Sequence, residues 1–298
     1  MKYLRTTLIF ALSYFAASHS FAQPGPGRPP ALTVDEGALL GVKVTLNQAY
    51  GSHQRQVLDI YQPEHATEEA MPIVFMIHGG GFIGGDKSVT RNIVSFLARN
   101  GMIGITVNYR LPPEHTWPSG AEDIASIVRW IQENGAALGG DADNVFIMGH
   151  SAGAGHAASY VFFEEFQVKN DGIAGAILVS GPTYDLALVL DKTGTKLAFH
   201  GEEAYFGSDL STYANKSSTA NIAGRKIPIL IAFAEHDTSN ILIENAALIA
   251  ALYERDKKLP TIIQGIGHHH FSVLGHINSY EESAANLRAF SSIYIVCL

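Results

Sequence analysis

Val145-Phe146-Ile147-Met148-Gly149-His150-Ser151-Ala152-Gly153-Ala154-Gly155 decides the fold. Four apolar residues run into Gly-x-Ser-x-Gly, and the small residues Ala154, Gly155, Ala157 and Ala158 follow. The apolar run predicts a buried strand and the small-residue run a helix start. The turn between them is tight. Gly149 and Gly153 lack a Cβ, so strand and helix can close around Ser151, whose hydroxyl is pushed to the tip of a strained turn. The rival reading of this window alone is a glycine-rich strand-to-helix turn whose serine caps the helix.

Outward from this turn, strands and helices alternate. Apolar runs at 72–77, 102–107, 173–179 and 228–233 predict buried strands, and Thr261-Ile262-Ile263 begins the last one. Helical spacing covers 89–100, 121–134, 241–255 and 280–290. Two alternating stretches, 42–46 and 56–61, predict antiparallel edge strands joined by a turn at Gly51-Ser52-His53. The pattern is α/β: one mostly parallel central sheet with helices on both faces, within a domain spanning 41–298. Residues 183–222 are less regular and hold Tyr184, Phe199, Tyr205, Phe206 and Tyr213. Loops of that length in a compact domain are usually functional, so this stretch is expected to be a small cap insertion over the site.

A serine hydroxyl needs a base, a group to orient that base, and donors for the oxyanion that forms. In a sheet of this kind those groups stand at the C-terminal ends of strands. Asp237, in Ile231-Ala232-Phe233-Ala234-Glu235-His236-Asp237, is the favoured acid, with Glu235 as competitor. Asp237 could instead cap the next helix. Gly265-Ile266-Gly267-His268-His269-His270-Phe271 is expected to be a loop supplying the base. Three adjacent residues cannot all point one way; His270 is favoured and His269 is the alternate. A contiguous His triplet lacks the spacing of a zinc site, so no metal is expected there. His78-Gly79-Gly80-Gly81-Phe82 follows the strand at 72–77, and the amides of Gly80, Gly81 and Ala152 are the expected oxyanion donors. Phe82, Trp117 and His150 flank these groups and are expected to contact substrate. The glycine loop lacks the Gly-Lys-Ser/Thr ending of a phosphate-binding loop. Its Gly79, Gly81, Gly84 frame matches a dinucleotide fingerprint, but Thr106-Val107-Asn108 puts no acid at the end of the following strand.

Composition narrows the rest. The 298 residues are 47% apolar and 16% charged with a formal net charge of −8. No basic cluster exists to attract nucleic acid. Lys2 and Arg5, the apolar run Leu8 to Ala17, and Ser20-Phe21-Ala22 predict a secretory signal peptide over 1–22, followed by a Pro/Gly-rich leader over 23–40. The apolar run is too short for an ordinary membrane span, so no stable anchor is expected after cleavage, and the product is expected in a periplasm or the medium. The single cysteine, Cys297, allows no internal disulfide.

These residues resemble the esterase/lipase branch of the α/β-hydrolase superfamily, near the hormone-sensitive-lipase-like carboxylesterases. The resemblance covers about 58–271. His78-Gly79-Gly80-Gly81-Phe82 is similar to that family's oxyanion motif, and Asn108-Tyr109-Arg110-Leu111-Pro112-Pro113-Glu114-His115 to its Y-R-L-A-P-E-H segment, with Pro118 and Asp123 following. Two positions depart: His150 stands where the usual elbow has Asp, and Thr238 follows Asp237 where the family often has Pro. A His-x-Phe base motif would select His269. The His-Phe form, found in arylformamidase-like and polysaccharide-esterase relatives, selects His270. The resemblance implies an α/β-hydrolase fold, a Ser151, Asp237, His270 triad, no cofactor, and hydrolysis of small-molecule carboxylic esters, with short acyl or acetyl groups expected. Amide, formamide or peptide hydrolysis by the same triad is the alternative, and a noncatalytic binding protein on the same scaffold is a third reading.

Overall fold

Why a run such as Met71–Ile77 is apolar throughout becomes plain once both its faces are covered. The computed structural model describes residues 39–65, 69–189, 201–222 and 224–275. Among the described residues eight strands, β1 (Val42–Ala49), β2 (Val57–Pro63), β3 (Met71–Ile77), β4 (Ile103–Val107), β5 (Gly140–His150), β6 (Ile173–Val179), β7 (Ile229–His236) and β8 (Thr261–His269), form one sheet. Their order is β1-β2-β4-β3-β5-β6-β7-β8. β1 and β2 pair antiparallel, as do β2 and β4; the rest are parallel.

The strand period of two sends alternate side chains of β3 to opposite cores. Ile73, Phe75 and Ile77 pack with α2 (Ser119–Asn134), α3 (Ala152–Phe162) and α6 (Ser239–Asp256); Val74 and Met76 pack with α1 (Arg91–Arg99) and α7 (Ser272–Gly275). On α2, Ile124, Ile127, Val128 and Ile131 recur at helical spacing and are all buried, each worth about 2 kcal/mol of apolar burial. Every residue of α3 is buried, which its small side chains permit.

Several expectations change. β2 is not an edge strand: it lies between β1 and β4, and Leu58 and Ile60 are buried in consequence. The expected helix at 89–100 opens with a 3-10 turn, Lys87–Thr90, before α1. β8 is longer than its apolar start suggests, because pairing with β7 carries it to His269, opposite His236. The histidine stretch is therefore largely strand rather than loop. Between β6 and β7 lie α4 (Glu202–Phe206), α5 (Tyr213–Lys216) and several 3-10 turns. The expected signal peptide and most of the leader, Phe199, the helix at 280–290 and Cys297 fall outside the described residues.

Candidate active site

The turn after β5 is as tight as its glycines demand. A Cβ on Gly153 would lie 2.2 Å from the Ile77 carbonyl oxygen, and one on Gly149 would lie 2.4 Å from the Gly153 carbonyl oxygen. Ser151 sits at φ 53°, ψ −126°, backbone space that disfavours an L side chain. Its amide donates to the Val179 carbonyl at 3.0 Å, so neighbouring β6 holds the strained residue in place. The hydroxyl makes no capping bond to α3, although Ser151 occupies the N-cap position. It faces His270 instead, with Oγ 3.0 Å from Nε2.

Behind His270 stands Asp237, immediately past β7. His270 Nδ1 lies 2.8 Å from Asp237 Oδ1. A carboxylate only accepts, so Nδ1 carries the proton and Nε2 turns a lone pair toward the serine. Asp237 Oδ2 accepts from Ser180 Oγ at 2.6 Å and from the Ala234 amide at 2.8 Å. Burial pushes this carboxyl up, but the bonds from His270, Ser180 and the Ala234 amide outweigh burial and hold it below the usual carboxylate range. Thr238, not Asp237, occupies the N-cap position of the next helix, which leaves Asp237 to the histidine.

The other acid and the other histidines point elsewhere. Glu235 is exposed and accepts from the Gly267 amide at 2.7 Å, tying β7 to β8. His269 is exposed, and its amide donates to Ser272 Oγ at 2.9 Å. His268 is buried, with Nδ1 3.2 Å from the same hydroxyl. The three rings do not converge, and among the described residues no group of three metal-ligating side chains does.

The glycine loop lies against the serine. A Cβ on Gly79 would come within 2.8 Å of Ser151 Cβ, and one on Gly80 within 2.0 Å of the Gly84 carbonyl oxygen. Gly81 has φ +59°, which suits glycine. The amides of Gly80, Gly81 and Ala152 donate to no acceptor among the described residues. For Ala152 the reason is general: the first amides of a helix have no intrahelical partner. Tyr109 supports the loop from behind. Its hydroxyl donates to the His78 carbonyl at 3.0 Å and its ring stacks on His78 at 4.5 Å. Tyr109 is held in turn by its neighbour Arg110, whose amide and Nε both bond Asp123 at 2.7 Å. Burial lowers the His78 imidazole to about 4, so it stays neutral in the working range.

Phe82, Trp117 and His150, the expected substrate contacts, are each packed against other parts of the protein. Phe82 is 2% exposed and packs against Tyr205, Phe206 and His156 with ring centroids 5.1–5.3 Å apart. Its ring anchors the 201–206 segment to the glycine loop. Trp117 packs on Phe163 and Phe166 at 5.9 and 5.7 Å. Its amide donates to the Tyr205 carbonyl at 2.8 Å, and it also packs against the cluster that holds Phe82 and Ala152. His150 is buried, and its Nε2 lies 2.8 Å from the main-chain carbonyl oxygen of His270. Ser180 is a part of the site that motif reasoning missed. Its position at the end of β6, where a sheet of this kind exposes functional groups, was the signal that could have found it.

A family model described as BD-FAE matches residues 58–239. Among curated proteins, esterase LipC of Mycobacterium tuberculosis is 28% identical over 111 residues, 37% of this chain and 27% of that protein. Carboxylesterase NlhH of the same organism is 36% identical over 104 residues, 33% of this chain and 31% of that protein. The chain spans about a quarter to a third of the length of such relatives. Among solved structures, esterase B from Lactobacillus rhamnosis superposes with a TM-score of 0.74 at 21% identity, covering 86% of each chain. A truncated carbohydrate esterase from gut microbiota gives 0.69 at 18%, covering 86% of this chain and 96% of that one. The fold is that of the α/β-hydrolases.

Proposed function

The chain belongs to the BD-FAE family, and from that premise we propose that it is a serine carboxylester hydrolase acting through an acyl-enzyme on Ser151. The observation that carries this reading is the chain of hydrogen bonds from Ser151 Oγ to His270 at 3.0 Å and on to Asp237 at 2.8 Å. Ser151 Oγ attacks the ester carbonyl carbon while His270 Nε2 takes the hydroxyl proton. Asp237 holds the imidazole in the required tautomer and stabilises the imidazolium. The amides of Gly80, Gly81 and Ala152 receive the developing oxyanion; each donor of this kind is worth about 3 kcal/mol of barrier. His270 then returns the proton to the departing alkoxide. Water then attacks the acyl carbon while His270 takes its proton; as the bond to Ser151 Oγ breaks, His270 returns that proton to Oγ and the carboxylic acid leaves.

Short acyl groups, acetyl among them, are the expected substrates. The support is the resemblance of the oxyanion and elbow motifs, at 78–82 and 149–153, to those of esterases acting on short-chain esters. The signal-like sequence over 1–22 supports export to a periplasm or the medium.

The test is a set of p-nitrophenyl esters from acetate to decanoate, with matched anilides and N-formyl aromatics, on wild type and on Ser151→Ala, His270→Ala and His269→Ala. Turnover should peak at short esters, vanish in the first two variants and persist in the third. A fluorophosphonate should label Ser151. Full turnover by folded Ser151→Ala would end the proposal. Preference for amides over matched esters would replace the substrate class. Retention of the chain in the cytoplasm with residues 1–22 still attached would remove the export reading.

A further inference from the structure

His150 sits between the two loops that must meet at Ser151. On one side its Nδ1 would be 3.2 Å from a Cβ placed on Gly79. On the other its Nε2 lies 2.8 Å from the His270 main-chain oxygen, and the two ring centroids are 4.7 Å apart with the planes tilted by 37°. A carbonyl oxygen only accepts, so His150 Nε2 must carry the hydrogen. Among the described residues the His270 carbonyl accepts from no other donor. The base therefore hangs from two fixed points, its own Nδ1 on Asp237 and its carbonyl on His150.

We infer that His150 is a positioning residue: its Nε2–H grips the main chain of His270 and sets the distance between the base and Ser151 Oγ. The inference rests on the proposed serine-hydrolase reading and assigns a role to the elbow position where the related family carries Asp. An aspartate there offers no N–H to a carbonyl, so this chain holds its base loop by a different device. The groups facing the His150 ring are His270 and Asp237. Burial and the neighbouring His270 lower the His150 imidazole to about 3. It is therefore a neutral donor of one hydrogen near neutral pH, where the assays are run.

Gln separates the hydrogen bond from the ring, because its amide nitrogen is as many bonds from the backbone as His Nε2. Asn is one bond too short. On the full chain, His150→Leu should lower kcat for p-nitrophenyl acetate by about 10- to 100-fold, the cost of misplacing a catalytic group by up to an ångström. KM should stay within about twofold, since no substrate contact is removed. The rate of fluorophosphonate labelling at Ser151 should fall in step with kcat. His150→Gln should recover most of both. If His150→Leu does not fold, His150→Asn takes its place with the same expected loss. A rise in KM with kcat unchanged would overturn the inference in favour of a substrate contact. Labelling of His150→Leu at the wild-type rate, or a folded His150→Gln as slow as His150→Leu, would also overturn it. If wild type itself is not labelled at Ser151, the proposed function falls and the inference with it. Normal labelling of wild type together with any of the preceding results removes the inference alone.

Discussion

Replacing Ser151 by Gly should make the fold more stable than replacing it by Ala. Both variants lose the hydroxyl and its bond to His270, so their difference isolates the backbone. At φ 53°, ψ −126° a Cβ is strained, at a cost of about 1–3 kcal/mol for a residue held there. The strain cannot relax away, because the Ser151 amide is pinned to Val179 and its carbonyl accepts from the Ala154 and Gly155 amides at 2.9 and 3.3 Å. Ala keeps the Cβ and the strain; Gly removes both. Against this, glycine adds freedom to the unfolded chain, worth about 0.4–1 kcal/mol. The balance favours Gly by about 1 kcal/mol, or roughly 2–4 °C in Tm for a domain of this size. Thermal and urea melts of the two inactive variants measure it directly. If Gly melts at or below Ala, the serine is not held under strain, and the elbow owes its shape to something other than a forced backbone.

Two further outcomes are expected from the same geometry. Gly153→Ala puts a methyl 2.2 Å from the Ile77 carbonyl oxygen and 2.6 Å from that of His78, both backbone atoms. Strand β3 and the glycine loop must move apart from α3, costing about 1–3 kcal/mol in a urea midpoint and lowering kcat as well; a variant unchanged in both would refute the close approach. Glu244 on α6 is buried, and burial raises its carboxyl to about 8 from the usual 4.5, the amide bond from Asp185 opposing the rise. Between those two pH values the folded protein keeps a proton that the unfolded chain has released. Stability should therefore decline as pH rises through this window, by at most about 1.4 kcal/mol per unit, and level off above it. Glu244→Gln should flatten that slope in melts at pH 5.5, 7 and 8.5, and an unchanged slope would assign the titration to another group.

Much of the site was readable because its chemistry is carried by local patterns at strand ends. Gly-x-Ser-x-Gly after an apolar run, Asp237 past β7 and a histidine past β8 each announce themselves within a dozen residues. The structure brings Ser151, Asp237 and His270 together and turns Glu235 and His269 outward. What stayed hidden depended on packing between distant segments. Phe82 and Trp117 were large aromatics near motifs, and nothing in their neighbours along the chain reveals Tyr205 over one or Phe163 against the other. The extent of β8 was missed because Gln264-Gly265-Ile266-Gly267 has weak strand character alone; pairing with β7 supplies it. Ser180 and His150 act through partners 57 and 120 residues away, a span that no local pattern encodes.

On the proposed mechanism, the same distances mean that the alcohol of Ser151 is harmless for most of its own manufacture. Residue 151 leaves the ribosome while the imidazole at 270 has yet to be made, and the two must be bonded across 119 positions before the alcohol differs from any other. A nascent chain would then carry this alcohol unarmed, and arm it only once β8, the last of the described strands, has paired with β7.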